Sequence, residues 1–214
     1  MMNIKVCGMK YPENMLEIAT LKPTYMGFIF WEPSPRFFSD AIPEKLPEDI
    51  KTTGVFVNET LEAILNKVKK YNLQAVQLHG KETADFCCKL KKAASAKLNR
   101  NLEIIKVFSI KDTFNFEQLK PYEPCCDFYL FDTKGKLPGG NGYTFNWKLL
   151  YNYPSQKPYF LSGGIGITEL PNLKKFLKEP LAKLCYAIDL NSRFETEPGL
   201  KDLKLLKTFT DDIL

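Results

Sequence analysis

The sequence is poor in several residue types on which enzymes and binding proteins often depend. It has a single histidine, His79, and only three arginines among its 30 basic residues. One histidine is too few for the ligand sets of most transition-metal enzymes, and no Cys-x-x-Cys spacing indicates a zinc site. We therefore expect no metal ion.

Long apolar runs and nucleotide signatures are also absent from the sequence. No run approaches the ~18 residues that cross a bilayer, and the N-terminus lacks the apolar segment of a signal peptide. The first strand–helix turn does not contain Gly-x-Gly-x-x-Gly. The six cysteines include two adjacent pairs and do not resemble a disulfide framework. We expect a cytoplasmic, reduced protein without membrane contact and without a cofactor.

The charge balance favours a small anionic ligand over nucleic acid. The 30 basic and 25 acidic residues give a net charge of +5, and the lysines are scattered along the chain. Nucleic-acid binding usually requires a concentrated basic stripe. We expect a phosphorylated small-molecule substrate and no nucleic acid. The sequence leaves the choice between a monomer and a homodimer open.

Short apolar runs alternate with helical patterns along the chain. Several of these runs lack polar alternation, as in parallel strands that are buried on both faces. Eight strand–helix units predict an α/β fold, a single (β/α)8 TIM barrel domain over residues 1–214, with a doubly wound open sheet as the alternative. The predicted strands are Ile4–Cys7, Met26–Phe30, Gly54–Val57, Ala75–Leu78, Glu103–Phe108, Phe128–Asp132, Tyr159–Ser162 and Leu184–Leu190.

Helical patterns follow most of these strands, and two of them are short. The clearest is Thr60–Tyr71, whose apolar residues recur at i, i+3, i+4 and i+7. The helices after the fifth and sixth strands are the least defined. The predicted helices are Pro12–Leu21, Thr60–Tyr71, Thr83–Ala94, Thr168–Leu177 and Leu200–Phe209.

Polar residues at the strand ends are the candidates for chemistry, because a barrel carries its active site at the carboxyl ends of its strands. Asp132 ends a strand before a glycine-rich loop, which suits a proton donor beside an anionic substrate and also suits a loop-fixing carboxylate. Cys7 precedes a glycine and could act as a base if lysines such as Lys5 or Lys10 stabilise its thiolate. It could equally be an ordinary buried cysteine.

Three further features indicate substrate binding. Arg36 lies in Ser-Pro-Arg, and its guanidinium can bind a carboxylate through two hydrogen bonds. His79 is either a general base or a strand-end residue that bonds its loop, and we assign it to substrate binding. Gly163 and Gly164 precede a helix and indicate a phosphate site.

The motifs taken in order resemble one enzyme family. They are Lys5-Val-Cys-Gly8, Ser34-Pro-Arg36, Gly54-Val-Phe-Val-Asn58, Gln77-Leu-His-Gly80, Phe131-Asp132, Gly139-Gly-Asn-Gly142, Leu161-Ser-Gly-Gly164 and Asp189-Leu-Asn-Ser192 with Glu195. From residue 4 to residue 202 the series resembles the phosphoribosylanthranilate isomerases of tryptophan biosynthesis. The resemblance implies an Amadori rearrangement of N-(5-phosphoribosyl)anthranilate to 1-(2-carboxyphenylamino)-1-deoxyribulose 5-phosphate.

The resemblance also implies a role for each matching residue. Cys7 matches the family's general base, Asp132 its general acid, and Arg36 the arginine that holds the anthranilate carboxylate. The family's phosphate-binding loops match Gly140, Asn141, Gly142, Gly163, Gly164, Asn191 and Ser192.

Two departures from the family pattern lie in these loops. Gly-Gly-Thr-Gly reads Gly139-Gly140-Asn141-Gly142, and Ser-Ser-Gly-Val-Glu reads Asn191-Ser-Arg-Phe-Glu195. Arg193 thus replaces a glycine, which either changes the path of its loop or adds a positive charge near the phosphate.

Other functions remain as alternatives at this point. Another phosphosugar enzyme could use the same barrel, since many chemistries share it. A lysine-rich RNA-binding protein would need a basic stripe with stacking aromatics, and a cysteine redox protein would need a resolving cysteine close to Cys7 in sequence.

Overall fold

The computed structural model describes residues 2–133 and 144–213. Eight parallel strands pair in sequence order, and the eighth pairs with the first, so that the sheet closes into a barrel. The (β/α)8 barrel is therefore confirmed. The strands are β1 Asn3–Val6, β2 Tyr25–Ile29, β3 Lys51–Phe56, β4 Ala75–Leu78, β5 Glu103–Ile110, β6 Phe128–Thr133, β7 Tyr159–Leu161 and β8 Cys185–Leu190.

The barrel interior is filled at its amino-terminal side by apolar side chains and opens into a polar layer at the carboxyl side. Side chains in a strand alternate between the two faces of the sheet, so a residue two positions further along points the same way. Leu130 is thus followed by Asp132, Phe160 by Ser162, and Lys5 by Cys7 on the inner face. The apolar interior consists of Tyr25, Ala75, Ile105, Val107, Leu130, Phe160 and Ala187.

Five α-helices cover parts of the outside of the barrel. Thr60 and Thr83 cap two of them, each accepting a backbone N–H with its side-chain oxygen. None of the helices in the described part of the chain is long and apolar enough to span a bilayer. The helices are α1 Pro12–Ala19, α2 Leu61–Lys70, α3 Ala84–Leu98, α4 Leu170–Phe176 and α5 Leu203–Ile213.

Within residues 2–133 and 144–213, three of the eight predicted strand–helix units show no α-helix after their strand. Between β2 and β3 the chain forms turns and one bridge, from Ile29 to Phe37, because four prolines within residues 31–50 each remove a backbone donor. After β5 and β6 the connections are 3₁₀ helices, Phe116–Tyr122 and Trp147–Asn152. Further 3₁₀ turns are Ile167–Glu169, Pro180–Leu184 and Ser192–Phe194.

A small hairpin stands between β8 and the last helix. Its antiparallel strands are β9 Glu195–Glu197 and β10 Leu200–Lys201. The predicted helix from Leu200 is therefore wrong at its start, since α5 begins at Leu203.

The expectation that every cysteine is reduced is wrong for one pair. Cys88 on α3 and Cys125 before β6 form a disulfide, with Cα atoms 4.7 Å apart. The adjacent residues Cys87 and Cys126 are buried free thiols. The two cysteine pairs of the sequence therefore meet in space on the outside of the barrel, at the amino-terminal side of β6.

Candidate active site

One cavity at the carboxyl ends of the strands holds most of the predicted site residues. Its empty space is about 690 Å³, including the open mouth. It brings together positions that are up to 186 residues apart in the sequence, from Cys7 to Arg193. The predicted residues Gly140, Asn141 and Gly142 lie outside the described part of the chain. The predicted residues that line the cavity are Cys7, Arg36, His79, Asp132, Gly163, Gly164, Asn191 and Ser192.

The end of β1 places Cys7 against the wall of this cavity. Cys7 still belongs to the sheet, because its N–H donates to the carbonyl oxygen of Leu190 on β8 at 2.8 Å. Gly8 follows with φ +75°, a left-handed conformation that glycine adopts without a steric penalty. A Cβ at this position would lie 2.8 Å from both Arg36 Cδ and Asn191 Oδ1. Gly8 therefore lets two other site residues approach the cysteine.

The environment of the Cys7 thiol contains two opposing influences. The residue is 3% exposed, and burial raises the pKa of its thiol above the ordinary value because it disfavours the thiolate. The ammonium groups of Lys5 and Lys201 act against this shift. The thiol form thus predominates near neutral pH, with two cations in place to stabilise the thiolate.

Lys5 lies on the same inner face as Cys7 and is fully buried. Its Nζ lies 2.6 Å from Oδ1 of Asp189, the residue opposite it in the pairing of β1 with β8. The hydroxyl of Ser162 donates to the other carboxylate oxygen at 3.0 Å. Burial is the largest single influence and would lower the pKa of Lys5, but the interactions with Asp189 and Cys7 together hold the pKa above its ordinary value. The lysine next to the cysteine therefore carries a charge.

Asp132 reaches the cavity from β6, opposite the wall formed by β1 and β2. It is 3% exposed, and its Oδ1 accepts the N–H of Thr133 at 2.9 Å. Oδ2 lies 3.3 Å from Nε2 of His79, which makes no well-directed hydrogen bond within the described part of the chain. Nδ1 of the same ring lies 3.4 Å from Nε2 of Gln77. The carboxyl group is thus anchored through one oxygen and turns the other toward the cavity and the histidine.

Arg36 projects from the loop after β2 and is held by Glu195. Its Nε donates to Oε1 at 2.9 Å and its Nη2 to Oε2 at 2.6 Å. A guanidinium has five N–H donors, so the edge formed by Nη1 and the second hydrogen of Nη2 remains for another carboxylate. The side chain of Arg36 is 15% exposed, compared with 4% for Glu195.

Lys201 on β10 extends this cluster toward β8. Its Nζ lies 2.5 Å from Glu195 Oε1 and donates to Asn191 Oδ1 at 2.8 Å. Burial lowers the pKa of Lys201 to about 8, although the Glu195 carboxylate opposes the shift. Burial would raise the pKa of Glu195, but hydrogen bonds and charge from Arg36 and Lys201 hold it below its ordinary value.

The loops after β7 and β8 adjoin each other at one side of the cavity. Gly163 and Gly164 have φ values of +91° and +70°, so their backbone turns in a way that other residues rarely adopt. A Cβ at Gly166 would lie 3.1 Å from Cβ of Arg193, which shows how closely the two loops approach. Arg193 itself lines the cavity. These loops offer backbone N–H groups, a hydroxyl and a cation to an anion.

The start of the helical segment after β7 differs from the prediction in one respect. The N–H of Gly166 is already bonded to Glu169 Oε2 at 2.8 Å. This N–H is therefore already used by Glu169 of the same turn. An anion would be bound by the backbone amides nearer to Gly163 and Gly164.

Sequence reasoning missed several functional side chains. Of the two lysines suggested for Cys7, Lys5 is beside it, whereas the side chain of Lys10 packs against Gly199. Ser162, Asp189, Glu195 and Lys201 were visible only as members of motifs. Within residues 2–133 and 144–213, no group of three or more histidine, cysteine or acidic side chains could hold a metal ion.

Comparison with known families gives one consistent match. The family described as N-(5'-phosphoribosyl)anthranilate (PRA) isomerase matches residues 4–212. The N-(5'-phosphoribosyl)anthranilate isomerase of Phocaeicola vulgatus is 44% identical over 212 residues, which cover 99% of this chain and 98% of the relative.

Solved structures agree with this match in fold. The phosphoribosyl anthranilate isomerase of Thermus thermophilus superposes with a TM-score of 0.82 at 25% identity, over 99% of this chain and 98% of that one. A phosphoribosyl anthranilate isomerase in complex with reduced 1-(o-carboxyphenylamino)-1-deoxyribulose 5-phosphate superposes with a TM-score of 0.74 at 26% identity, over the same shares of the two chains.

Proposed function

The chain belongs to the N-(5'-phosphoribosyl)anthranilate isomerase family, and we propose that Asp132 and Cys7 are the acid and the base of its reaction. The enzyme isomerises N-(5-phosphoribosyl)anthranilate in tryptophan biosynthesis. The geometry of the cavity supports the residue roles proposed below.

Asp132 begins the reaction as a general acid. Its carboxyl group protonates the oxygen of the ribose ring, and the C1–O bond breaks. The nitrogen lone pair forms a C1=N bond, which gives an open-chain iminium ion and leaves Asp132 as a carboxylate. Oδ2, which lies 3.3 Å from His79 Nε2, is the proposed proton donor, while Oδ1 is held by the Thr133 amide. A positioned acid of this kind typically contributes ~10²–10⁴-fold to the rate.

Cys7 then removes the proton from C2. The thiolate takes the proton, and the C2–H electrons form a C1=C2 bond while the C=N electrons return to nitrogen. The resulting enolamine tautomerises to the aminoketone. The positive iminium beside Cys7 favours the thiolate in the same way as Lys5 and Lys201 do, so the raised pKa of the Cys7 thiol falls when the substrate ring opens.

Arg36 and the loops after β7 and β8 bind the two charged ends of the substrate. The outer edge of the Arg36 guanidinium holds the anthranilate carboxylate, and Gly163, Gly164, Asn191 and Ser192 bind the phosphate. Binding energy from these remote groups holds the sugar between acid and base, which reduces the entropic cost of the transition state. His79 lies beside Asp132 and contacts the substrate near the ring oxygen.

The single observation that carries this proposal is the meeting of Cys7, Arg36 and Asp132 in one cavity from three distant parts of the chain. It is tested with freshly prepared N-(5-phosphoribosyl)anthranilate in an anthranilate-fluorescence assay. The wild type should abolish the fluorescence without added metal or cofactor, whereas Asp132→Asn and Cys7→Ser should not. A wild-type rate in either variant would contradict its assigned role.

Three expectations from the sequence stay predictions. They are a single domain over residues 1–214, a monomer or homodimer that binds only the phosphorylated small molecule, and a cytoplasmic location. The Cys88–Cys125 disulfide does not favour the cytoplasmic location, because that compartment is reducing. Measurement of the molecular mass in solution tests the oligomeric state, and fractionation of cells tests the location.

A further inference from the structure

Glu195 lies at the centre of a buried ionic cluster that includes Arg36 and, through Lys201, Asn191. Both of these residues line the cavity. Glu195 receives Arg36 Nε and Nη2 at 2.9 and 2.6 Å, Lys201 Nζ at 2.5 Å and the N–H of Gly199 at 3.2 Å. Lys201 in turn donates to Asn191 Oδ1 at 2.8 Å. One carboxylate thus connects the residue proposed for the anthranilate carboxylate with a residue proposed for the phosphate.

We propose that Glu195 and Lys201 are positioning residues that hold Arg36 and Asn191 at a fixed separation and so select substrates with a carboxylate and a phosphate at that span. This inference rests on the roles proposed above for Arg36 and Asn191. Glu195 occupies only the Nε–Nη2 edge of the guanidinium, so the substrate carboxylate binds the outer edge while Glu195 stays in place.

The base of the cluster is rigidly attached to the fold. The backbone N–H of Lys201 donates to Asn14 Oδ1 at 2.8 Å, and Asn14 Nδ2 donates to the Lys201 carbonyl at 2.9 Å. Both side chains of the Lys201–Glu195 pair are nearly inaccessible, with 0% and 4% of their surface exposed. A buried, doubly anchored pair of this kind has one orientation, which it imposes on Arg36.

The link to Asn191 depends on its amide oxygen, which accepts the Lys201 ammonium. A serine side chain is shorter and has no amide oxygen. Asn191→Ser should therefore remove the hydrogen bond between Lys201 and residue 191 and leave the Arg36–Glu195 pair intact.

Glu195→Gln tests the proposal because this substitution removes one negative charge beside Arg36. Removal of a negative charge beside Arg36 would by itself strengthen binding of an anionic substrate. Glu195→Gln also removes the carboxylate that opposes the lowered pKa of Lys201, so weaker binding is assigned to Arg36 only where the loss is confined to the ligand that carries the ring carboxylate.

Two inhibitors distinguish a loss of Arg36 positioning from a general loss of ligand binding. One is the reduced product analogue, in which an alcohol replaces the ketone, and the other is the same compound without the ring carboxylate. In Glu195→Gln we expect the Kd of the first to rise about tenfold, as for a lost charge-assisted hydrogen bond, and that of the second to change less than twofold. Equal losses for both compounds, or no loss or tighter binding for the first, would overturn the proposal.

Arg36→Met distinguishes failure of this inference from failure of the proposed function. If Arg36→Met weakens binding of the carboxylated analogue no more than binding of the other one, Arg36 does not bind the carboxylate, and both the assigned role and the inference built on it are wrong. If Arg36→Met selectively weakens the carboxylated analogue and Glu195→Gln does not, only the positioning role is wrong.

A measurement on the unmodified enzyme covers the case in which Glu195→Gln does not fold. The chain has only three arginines, so the Nε–H resonances in a ¹H–¹⁵N spectrum are few and Arg36→Met assigns one of them. The Arg36 Nε proton should exchange slowly with water and stay protected when the carboxylated analogue binds. Loss of protection on binding would mean that the ligand displaces Glu195, which contradicts the proposal.

Discussion

The two ends of the barrel use the same residue types for different purposes. Asp127 precedes β6, and its two oxygens accept the N–H of Ile104 at 2.8 Å and the ammonium of Lys91 at 2.5 Å. Asp132 lies near the other end of the same strand and turns one oxygen toward the cavity. The carboxylate at the amino end is satisfied by the protein, whereas the one at the carboxyl end remains available to a ligand.

The lysine–glutamate pairs at the two ends show the same contrast. At the amino end Lys51 lies 2.5 Å from Glu103, which also accepts the hydroxyl of Tyr25 at 2.8 Å. At the carboxyl end Glu195 pairs with Lys201 and also holds Arg36, which lines the cavity. What identifies a functional charge in this molecule is therefore the donor or acceptor that the protein leaves open, and not burial or ion pairing.

The largest difference between the ends should appear in the two aspartates of β6. Asp132→Asn should reduce kcat by ~10²–10⁴-fold, because an amide cannot give its proton to the ring oxygen. Asp127→Asn should leave kcat within twofold and lower the free energy of unfolding by about 1–3 kcal/mol, since it weakens bonds to a backbone amide and a lysine. Fluorescence kinetics and denaturant unfolding measure the pair, and a similar loss of kcat in both variants would remove the contrast.

The next largest difference in turnover is expected between variants of Cys7 and Cys185. Cys7→Ser should lose at least ~10²-fold in kcat, because a hydroxyl is a much weaker base than a thiolate near neutral pH. Cys185, a buried free cysteine at the start of β8, provides the control, and Cys185→Ser should keep near-normal turnover. Near-normal turnover in Cys7→Ser would make His79 the first alternative as the base.

The Cys7 thiol should also determine the pH dependence of the wild type. Burial raises its pKa, so the thiolate is the minor form near neutral pH, and its fraction grows as the pH rises toward that pKa. We expect kcat/KM to increase with pH through the neutral range, since this parameter reports the free enzyme. A flat profile between pH 6 and about pH 8 would contradict a thiolate base.

A smaller effect is expected at Arg36. Arg36→Lys should raise KM about tenfold and change kcat less, because lysine cannot bond Glu195 and a substrate carboxylate through two separate edges. Steady-state kinetics measure both parameters. An unchanged KM would indicate an arginine whose only role is its bond to Glu195.

The smallest expected effect concerns the phosphate loops. Inorganic phosphate or sulfate should compete with the substrate at millimolar concentrations, because an isolated anion gains only a part of the binding energy of the whole molecule. Inhibition that does not depend on substrate concentration would place the anion elsewhere.

The strands and their polar end residues could be predicted because both follow from local patterns. Apolar runs such as Phe128–Leu130 specify a buried strand, and the polar residue that ends each run must point toward one edge of the sheet. Cys7, His79 and Asp132 were found in this way, and the cavity contains all three.

The ionic clusters could not be predicted because they depend on register and on a short hairpin. Lys5 meets Asp189 only through the pairing that closes the barrel between β1 and β8, which no local pattern encodes. Lys201 reaches Glu195 because residues 195–201 form a hairpin, whereas Leu200 resembles the start of the following helix. The bond between Cys88 and Cys125 likewise depends on the packing of α3 against the segment before β6.

A crystal structure of this enzyme with the reduced product analogue would show how the substrate lies between Cys7 and Asp132. We expect C2 of the analogue to lie against Cys7 and its sugar oxygens to lie toward Asp132. The ring carboxylate should bind the outer edge of Arg36, and the phosphate should bind at Gly163, Gly164 and Ser192. An analogue bound in the opposite direction, or outside the cavity at the carboxyl ends of the strands, would contradict the proposed roles.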